Sequence, residues 1–233
     1  MNRLRKYWFD VRTLPADAAL AYRHEGVRGA WKALASRSVH RVLRAGRVIV
    51  FAHPLRDERD SELPAGVRVS LASAEDLAAL VSLAGEREAN RFRALQEHGH
   101  HCLIAWRGTE PVGYAWVAQR MGPDVAIWPL PFEFPADAAY LWNLYVIPSE
   151  RAHGIGSALA QARLRLARHN GLRQGWRMID PSNSASLRTL KKSAGHTRVV
   201  GEIRFVQLFS RTYSRFTPHN PEAQVLSSSS GSN

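Results

Sequence analysis

Residues Tyr140 to His169, YLWNLYVIPSERAHGIGSALAQARLRLARH, constrain the fold more than any other part of the chain. From Leu141 to Ile147 nearly every residue is aliphatic, β-branched or aromatic, with Asn143 the one polar interruption. That composition predicts a strand buried on both faces. Pro148 ends it, because proline has no N–H to give to a ladder. The turn Arg151-Ala152-His153-Gly154-Ile155-Gly156 follows. Ala158, Leu159, Ala162, Leu164 and Leu166 then recur at helical spacing.

The physics of this turn points to a phosphate site. Two glycines one residue apart permit tight backbone conformations and leave no Cβ in the way of an approaching anion. The first N–H groups of a helix have no partner in the chain, and the helix dipole is positive there. Arg151 and His153 add donors, and the arginine adds a fixed charge. A strand that delivers such a helix N-terminus is suited to hold a pyrophosphate. The alternative is a plain strand-to-helix turn in which Gly154 and Gly156 serve sterics alone. A Walker loop and a dinucleotide fingerprint fit less well, since no Gly-Lys-Ser/Thr, third glycine or early aspartate is present.

On these residues the segment resembles the acetyl-CoA loop of the GCN5-related N-acetyltransferase (GNAT) superfamily, whose pattern is Gln/Arg-x-x-Gly-x-Gly/Ala after a strand ending in Val-x-Pro. Arg151, Gly154 and Gly156 fill the pattern, and Val146-Ile147-Pro148 supplies the lead-in. The text GTEPVGYAWV resembles the family's second hairpin. The stretch from Asn183 resembles its last motif, Asn-x-x-Ser/Ala followed by Lys and Gly, with Asn183, Ser186 and Lys192 in place. Gly195 comes one residue late, His196 replaces an aromatic, and Leu190 stands where the family commonly has a tyrosine.

The rest of the chain reads as a compact α/β domain from about Gly66. Val67–Leu71 alternates like a strand, and Ser73 with Asp76 forms a shortened capping box before Leu77, Leu80, Val81 and Leu83. A second helix is expected over Glu86–Glu97. His101–Trp106 and Pro111–Gln119 form a hairpin about Arg107–Glu110. Gly122–Asp137 is a proline-rich aromatic loop, a candidate wall for the acceptor. Gly175–Asp180 is a strand and Ser184–Lys192 a helix. Thr197–Val200 and Ile203–Ser210 are expected to pair around a turn at Gly201-Glu202. The order β, α, α, β, β, β, α, β, α, β, β matches the GNAT arrangement. The resemblance thus implies an α/β GNAT fold, a mixed central sheet with flanking helices, over residues 66–216. Residues 1–60 form a basic N-terminal extension, and 217–233 a disordered tail rich in serine.

Charge is concentrated in that extension. The chain holds 32 Lys and Arg against 20 Asp and Glu, and such a field favours anionic partners. Residues 1–47 contain eleven basic and three acidic residues, a surplus of eight within a net charge of +12. A helix over Gly26–Ala45 would place Val27, Trp31, Leu34, Ser38 and Val42 on one side and Arg37, Arg41 and Arg44 on the other. It reads either as a contact for an anionic membrane or polyanion, or as a solvated face docked on the main domain. Arg47–His53 is expected to be a strand within the extension. No apolar run reaches 18 residues, so no spanning helix is expected. The single cysteine, Cys102, precludes an internal disulfide and suits a reducing cytosol. His98, His100, His101 and Cys102 are ligand types, yet their spacing matches no zinc motif and no metal is expected.

The resemblance implies acetyl-CoA as co-substrate and an amine that attacks its thioester directly. It assigns the diphosphate to Arg151, Ala152, His153, Gly154, Ile155 and Gly156, and the pantetheine to the backbone of Leu144 and Val146. The N–H of Val146 would polarise the thioester carbonyl. Asn183 and Ser186 are carried over as further CoA contacts. With Leu190 in the tyrosine position, the catalytic groups are chosen by chemistry. Glu133, or Asn143 with a water, is the candidate base. Tyr145 and Tyr213 are the candidate acids. Alternation along the strand would put Asn143 and Tyr145 on one face. The acceptor is an amine, and the charge surplus suggests an anionic one such as an amino sugar nucleotide or an envelope precursor. The competing class is a degenerate GNAT fold that binds CoA without turnover. A nucleic-acid binder has charge in its favour but lacks any recognisable motif.

Overall fold

The computed structural model describes residues 19, 22–23, 26–27, 43–55, 63–119, 131–193, 197–208 and 211–219. Its strands are β1 (Leu43–Pro54), β2 (Val67–Leu71), β3 (His101–Arg107), β4 (Glu110–Ala118), β5 (Ala138–Val146), β6 (Gln174–Ile179), β7 (Arg198–Leu208) and β8 (Arg211–Pro218). They make one 8-stranded sheet in the order β2-β3-β4-β5-β6-β1-β7-β8. Among the described residues β5 and β6 run parallel, and the other neighbours are antiparallel.

Alternation along β3, β4 and β5 divides the apolar residues between two faces. Cys102, Ile104, Trp106, Trp116 and Trp142 point to one side, under the short helices α1 (Asp76–Ala79) and α2 (Val81–Ala84) and the longer α3 (Glu86–Glu97). Leu103, Ala105, Ala115 and Val146 point to the other, under α4 (Ile155–His169), whose Ile155, Leu159 and Ala162 complete that core. Helix α5 (Ser184–Ser193) packs Leu187 and Leu190 on Phe51 and Ile179. The reciprocal cap before α1 forms as expected. Asp76 N–H donates to Ser73 Oγ at 3.1 Å, and Ser73 N–H to Asp76 Oδ2 at 2.9 Å.

Three sequence expectations change. The strand expected within the extension is longer and lies inside the sheet. β1 pairs with β6 on one side and β7 on the other, and Val50 and Ala52 are fully buried. Leu43–Ala45, expected to end a helix, instead open this strand; most of Gly26–Ala45, including Arg37 and Arg41, lies outside the described residues. Gly201-Glu202 is not a turn: β7 runs through it and pairs with β8 as far as Pro218. A Cβ at Gly201 would stand 2.5 Å from the Thr217 carbonyl oxygen, so the glycine serves close strand approach. The tail from residue 220 is outside the described residues, as are Lys192's side chain, Gly195 and His196. Among the described residues no helix is long and apolar enough to cross a membrane.

Candidate active site

β5 is built to leave one edge of its backbone open. Its pairing with β4 runs Tyr140–Trp142 opposite Trp116–Ala118, then resumes at Tyr145 opposite Tyr114. Two residues of β5, Asn143 and Leu144, thus face one of β4. Asn143 absorbs the extra residue with a φ of 45°, a left-handed conformation that asparagine tolerates better than most side chains. On the other edge β5 pairs with β6 only from Ala138 to Tyr140. Both strands continue beyond that point, β6 still laddered to β1. A slot therefore opens beside Trp142–Val146.

The backbone of Val146 faces this slot. Ile147 N–H donates to Val112 of β4 at 3.0 Å, and successive residues of a strand turn their N–H and C=O to opposite edges. Arg151 Nε accordingly reaches the Val146 carbonyl at 3.0 Å, with its guanidinium 5.8 Å from the Tyr145 ring centroid. The bulge also overturns the expected alternation. Trp142 and Tyr145 both join the α3-side core, where an unbroken strand would separate them. Asn143 is nevertheless brought to Tyr145 through Tyr114. Its side chain lies close enough to the Tyr114 phenol to act on its pKa, and the Tyr114 and Tyr145 rings lie 5.7 Å apart. Burial, then the Glu88 carboxylate, pushes the Tyr114 pKa well up, so this phenol stays protonated.

Among the described residues no side chain caps the helix end beside the slot. Residues 151–154 are exposed. Ala152 and Gly154 adopt φ values of 68° and 85°. Gly154 is the N-cap of α4 and supplies no side-chain cap, and the first turn carries no acidic residue. Ile155 is fully buried and anchors the helix start in the core. A Cβ at Gly156 would lie 3.9 Å from Leu144 Cδ2 and Val146 Cγ2, at the junction of helix and slot. The turn is held by a two-pronged pair: Arg107 Nε and Nη2 donate to the Glu150 carboxylate at 2.8 and 2.7 Å. This ties the β3–β4 hairpin to the cradle and holds the Glu150 pKa below the carboxylate range.

Other expected site residues lie on α5, on the approach to β5 and on β8. Asn183 is the N-cap of α5, its Oδ1 accepting from Ser186 N–H at 3.0 Å, so both are engaged in the helix start. Leu190 is buried against Ile179 and Phe51, and α5 brings no phenol from that position. Glu133 is exposed between Phe132 and Phe134, whose rings pack on Trp176 at the start of β6. Tyr213 is an exposed residue of the edge strand β8. His98 Nδ1 meets Ala94 O at 2.6 Å, His101 Nε2 meets Gln119, and Cys102 is buried. Among the described residues no cluster of three or more His, Cys, Asp or Glu could hold a metal. Tyr114 is the residue that sequence reasoning missed. Its signal was the spacing of Trp142 and Tyr145 about a lone polar residue.

The comparisons bear on this arrangement. A family model described as Acetyltransferase (GNAT) family matches residues 70–196, more than half of the chain. Among solved structures, a Drosophila protein is similar at TM-score 0.50 and 17% identity, covering 79% of this chain and 67% of its own. A GNAT-family acetyltransferase from Colwellia psychrerythraea is similar at 0.51 and 16%, covering 72% and 56%. The glucosamine N-acetyltransferase region of a fungal multi-domain β-N-acetylglucosaminidase is similar at 0.51 and 13%, covering 75% and 22%. At these identities the likeness is one of fold alone. No curated protein matches the sequence. An open-edged strand delivering an uncapped helix N-terminus, within residues that the family model matches, leads to one conclusion: the chain belongs to the GNAT family of acetyltransferases.

Proposed function

We propose that the protein transfers an acetyl or other acyl group from acyl-CoA to a primary amine by direct attack. The observation that carries the reading is the slot beside β5 opening onto the bare N-terminus of α4. These residues fit the donor. The exposed turn Ala152–Gly154 and the positive dipole end of α4 suit a diphosphate. The open edge at Leu144 and Val146, where Arg151 already holds the Val146 carbonyl, suits an extended pantetheine, which would add to it like a strand.

The thioester supplies an activated acyl group and a thiolate to be expelled. The chain's own groups do the rest. Val146 N–H, turned toward the slot, stabilises the negative charge that develops on the carbonyl oxygen. Asn143, held by the bulge, orients the amine or the water that accepts its proton. Tyr145 donates to the departing sulfur, with Arg151 holding its ring in place. No acyl-enzyme is needed, and burial raises the pKa of Cys102, the chain's single cysteine, keeping its thiol protonated away from solvent.

A second reading has one observation in its favour: Leu190 occupies the position of the family's usual tyrosine and is committed to the core. It holds that the fold binds CoA without turnover. The acceptor belongs to the proposal as well, with an anionic amine such as an amino sugar derivative matching the basic surplus.

Thermal unfolding with acetyl-CoA, CoA and longer acyl-CoAs, followed by turnover with amine acceptors, tests both. The midpoint should rise for the wild type and not for Arg151→Ala or Gly156→Leu, the latter placing a side chain at the slot without a strained φ. Tyr145→Phe should keep that rise and lose about a hundredfold in kcat. No rise with any CoA would overturn the acyl-CoA reading. A rise with no turnover on any amine would favour the binding module.

A further inference from the structure

At the end of the sheet opposite the cradle lies a cleft of about 790 Å³, lined by residues of four segments. His53 comes from β1, Asp137 from the approach to β5, Arg173 and Gln174 from the start of β6, and Thr197 and Arg198 from the start of β7. The length of β5, nine residues, separates Asp137 from Val146 by about 30 Å at strand rise. The cleft therefore lies well away from the Val146 end of the acyl-CoA slot, with Arg163 reaching from behind His53 to the Trp142 carbonyl at the slot's near end, and its volume lies within the usual range for small-ligand sites.

Its polar groups are incompletely satisfied by the protein. His53 is 3% exposed, and among the described residues neither Nδ1 nor Nε2 has a hydrogen-bond partner, nor does the buried Thr197 Oγ1. Buried polar atoms are nearly always paired, so groups left open beside a cavity call for a partner from outside the chain. The charge around them is positive. Arg173 and Arg198 are exposed at the rim. The Asp137 carboxylate accepts from Gln174 Nε2 at 3.4 Å, and Gln174 Oε1 accepts from Arg198 Nη2 at 3.4 Å. Behind the imidazole stand Arg163 and Arg177, both over nine-tenths buried and close enough to depress the His53 pKa. Arg163 spends one nitrogen on the Trp142 carbonyl at 3.1 Å, while its Nε is unpartnered.

We propose that this cleft binds a phosphate monoester of a hydroxylated small molecule, at a second site remote from the acyl-CoA slot. Two rim guanidinium groups match a phosphate monoester, which carries about −1.5 to −2 charges at neutral pH. The imidazole stays neutral, because burial and the two arginines behind it hold off its proton. It therefore offers one donor and one acceptor, and with the Thr197 hydroxyl it suits the alcohol groups of such a ligand better than a bare ion.

Isothermal titration of the full chain with inorganic phosphate and with glucose 6-phosphate tests this, with and without saturating CoA. Glucose 6-phosphate should bind in both conditions and more tightly than phosphate, and glucose alone should not bind. Arg173→Ala/Arg198→Ala, two exposed substitutions that leave the core untouched, should weaken binding by about tenfold or more, given the usual strength of charge-assisted hydrogen bonds. Thr197→Val should weaken it less, and Arg151→Ala should leave it unchanged. Absence of binding by both probes, displacement by CoA, or equal affinity in the double variant would overturn the proposal.

Discussion

His53 is a histidine that the fold will not protonate. Burial first, then the charges of Arg177 and Arg163, lower its pKa from 6.5 to about 3. The unfolded chain takes up that proton near the ordinary histidine value, and the folded chain takes it up only far lower. Between the two the unfolded state holds more protons, so the contribution is complete above pH 6.5 and is lost as the pH falls toward 3. The slope from this one group is about 1.4 kcal/mol per pH unit. It should show in urea unfolding from pH 6.5 down to about 5, above the range in which carboxylates such as Glu150 and Glu202 titrate. His53→Phe, which removes the titration and keeps a flat ring, should flatten the wild-type curve there. An unchanged slope would mean that other histidines carry it. Gly175 makes room for this ring, since a Cβ there would stand 2.7 Å from His53 Cε1.

At the scale of elements, α5 shows how a family motif and a helix cap become the same residue. Asn183 was carried over as a CoA contact, but its Oδ1 satisfies the N–H of Ser186. Asn183→Ala should therefore cost about 1 kcal/mol, and Asn183→Ser, which keeps an acceptor, should restore most of it. The rise in midpoint caused by CoA should survive both changes. Its loss in Asn183→Ser, where the cap persists, would show a direct contact. Helices α3, α4 and α5, the start of α1 and the β3–β4 hairpin were legible because their signals are local: the period of Ala158, Leu159, Ala162 and Leu164, the Ser73–Asp76 cap, the Gly108 turn. The bulge at Asn143 was half legible. A polar residue marked the place, but the conformation that puts Trp142 and Tyr145 on one face depends on pairing with Tyr114 and Trp116. Gly201 was read as a turn because the Phe216 ring and Thr217 carbonyl that demand a glycine arrive from another strand.

For the whole molecule the decisive element is β1. Its run Val48–Ala52 carries the apolar text of a strand buried on both faces, yet its place between β6 and β7 is set by partners more than a hundred residues away. Nothing local distinguishes such a strand from one belonging to a separate extension. The consequence is that β6, one wall of the slot, is itself backed by β1. Its ladder from Ile49–Ile179 to Pro54–Gln174 holds β6 straight where β5 departs from it. Removing residues 1–54 would leave β6 and β7 with facing unpaired edges and strip the cover from Ile203 and Trp176, which share a core with Val48 and Val50. The truncated chain, though it keeps every residue matched by the family model, should lose its cooperative thermal transition and its response to CoA. If that chain unfolds cooperatively and still binds CoA, the slot is supported by β5 and α4 alone.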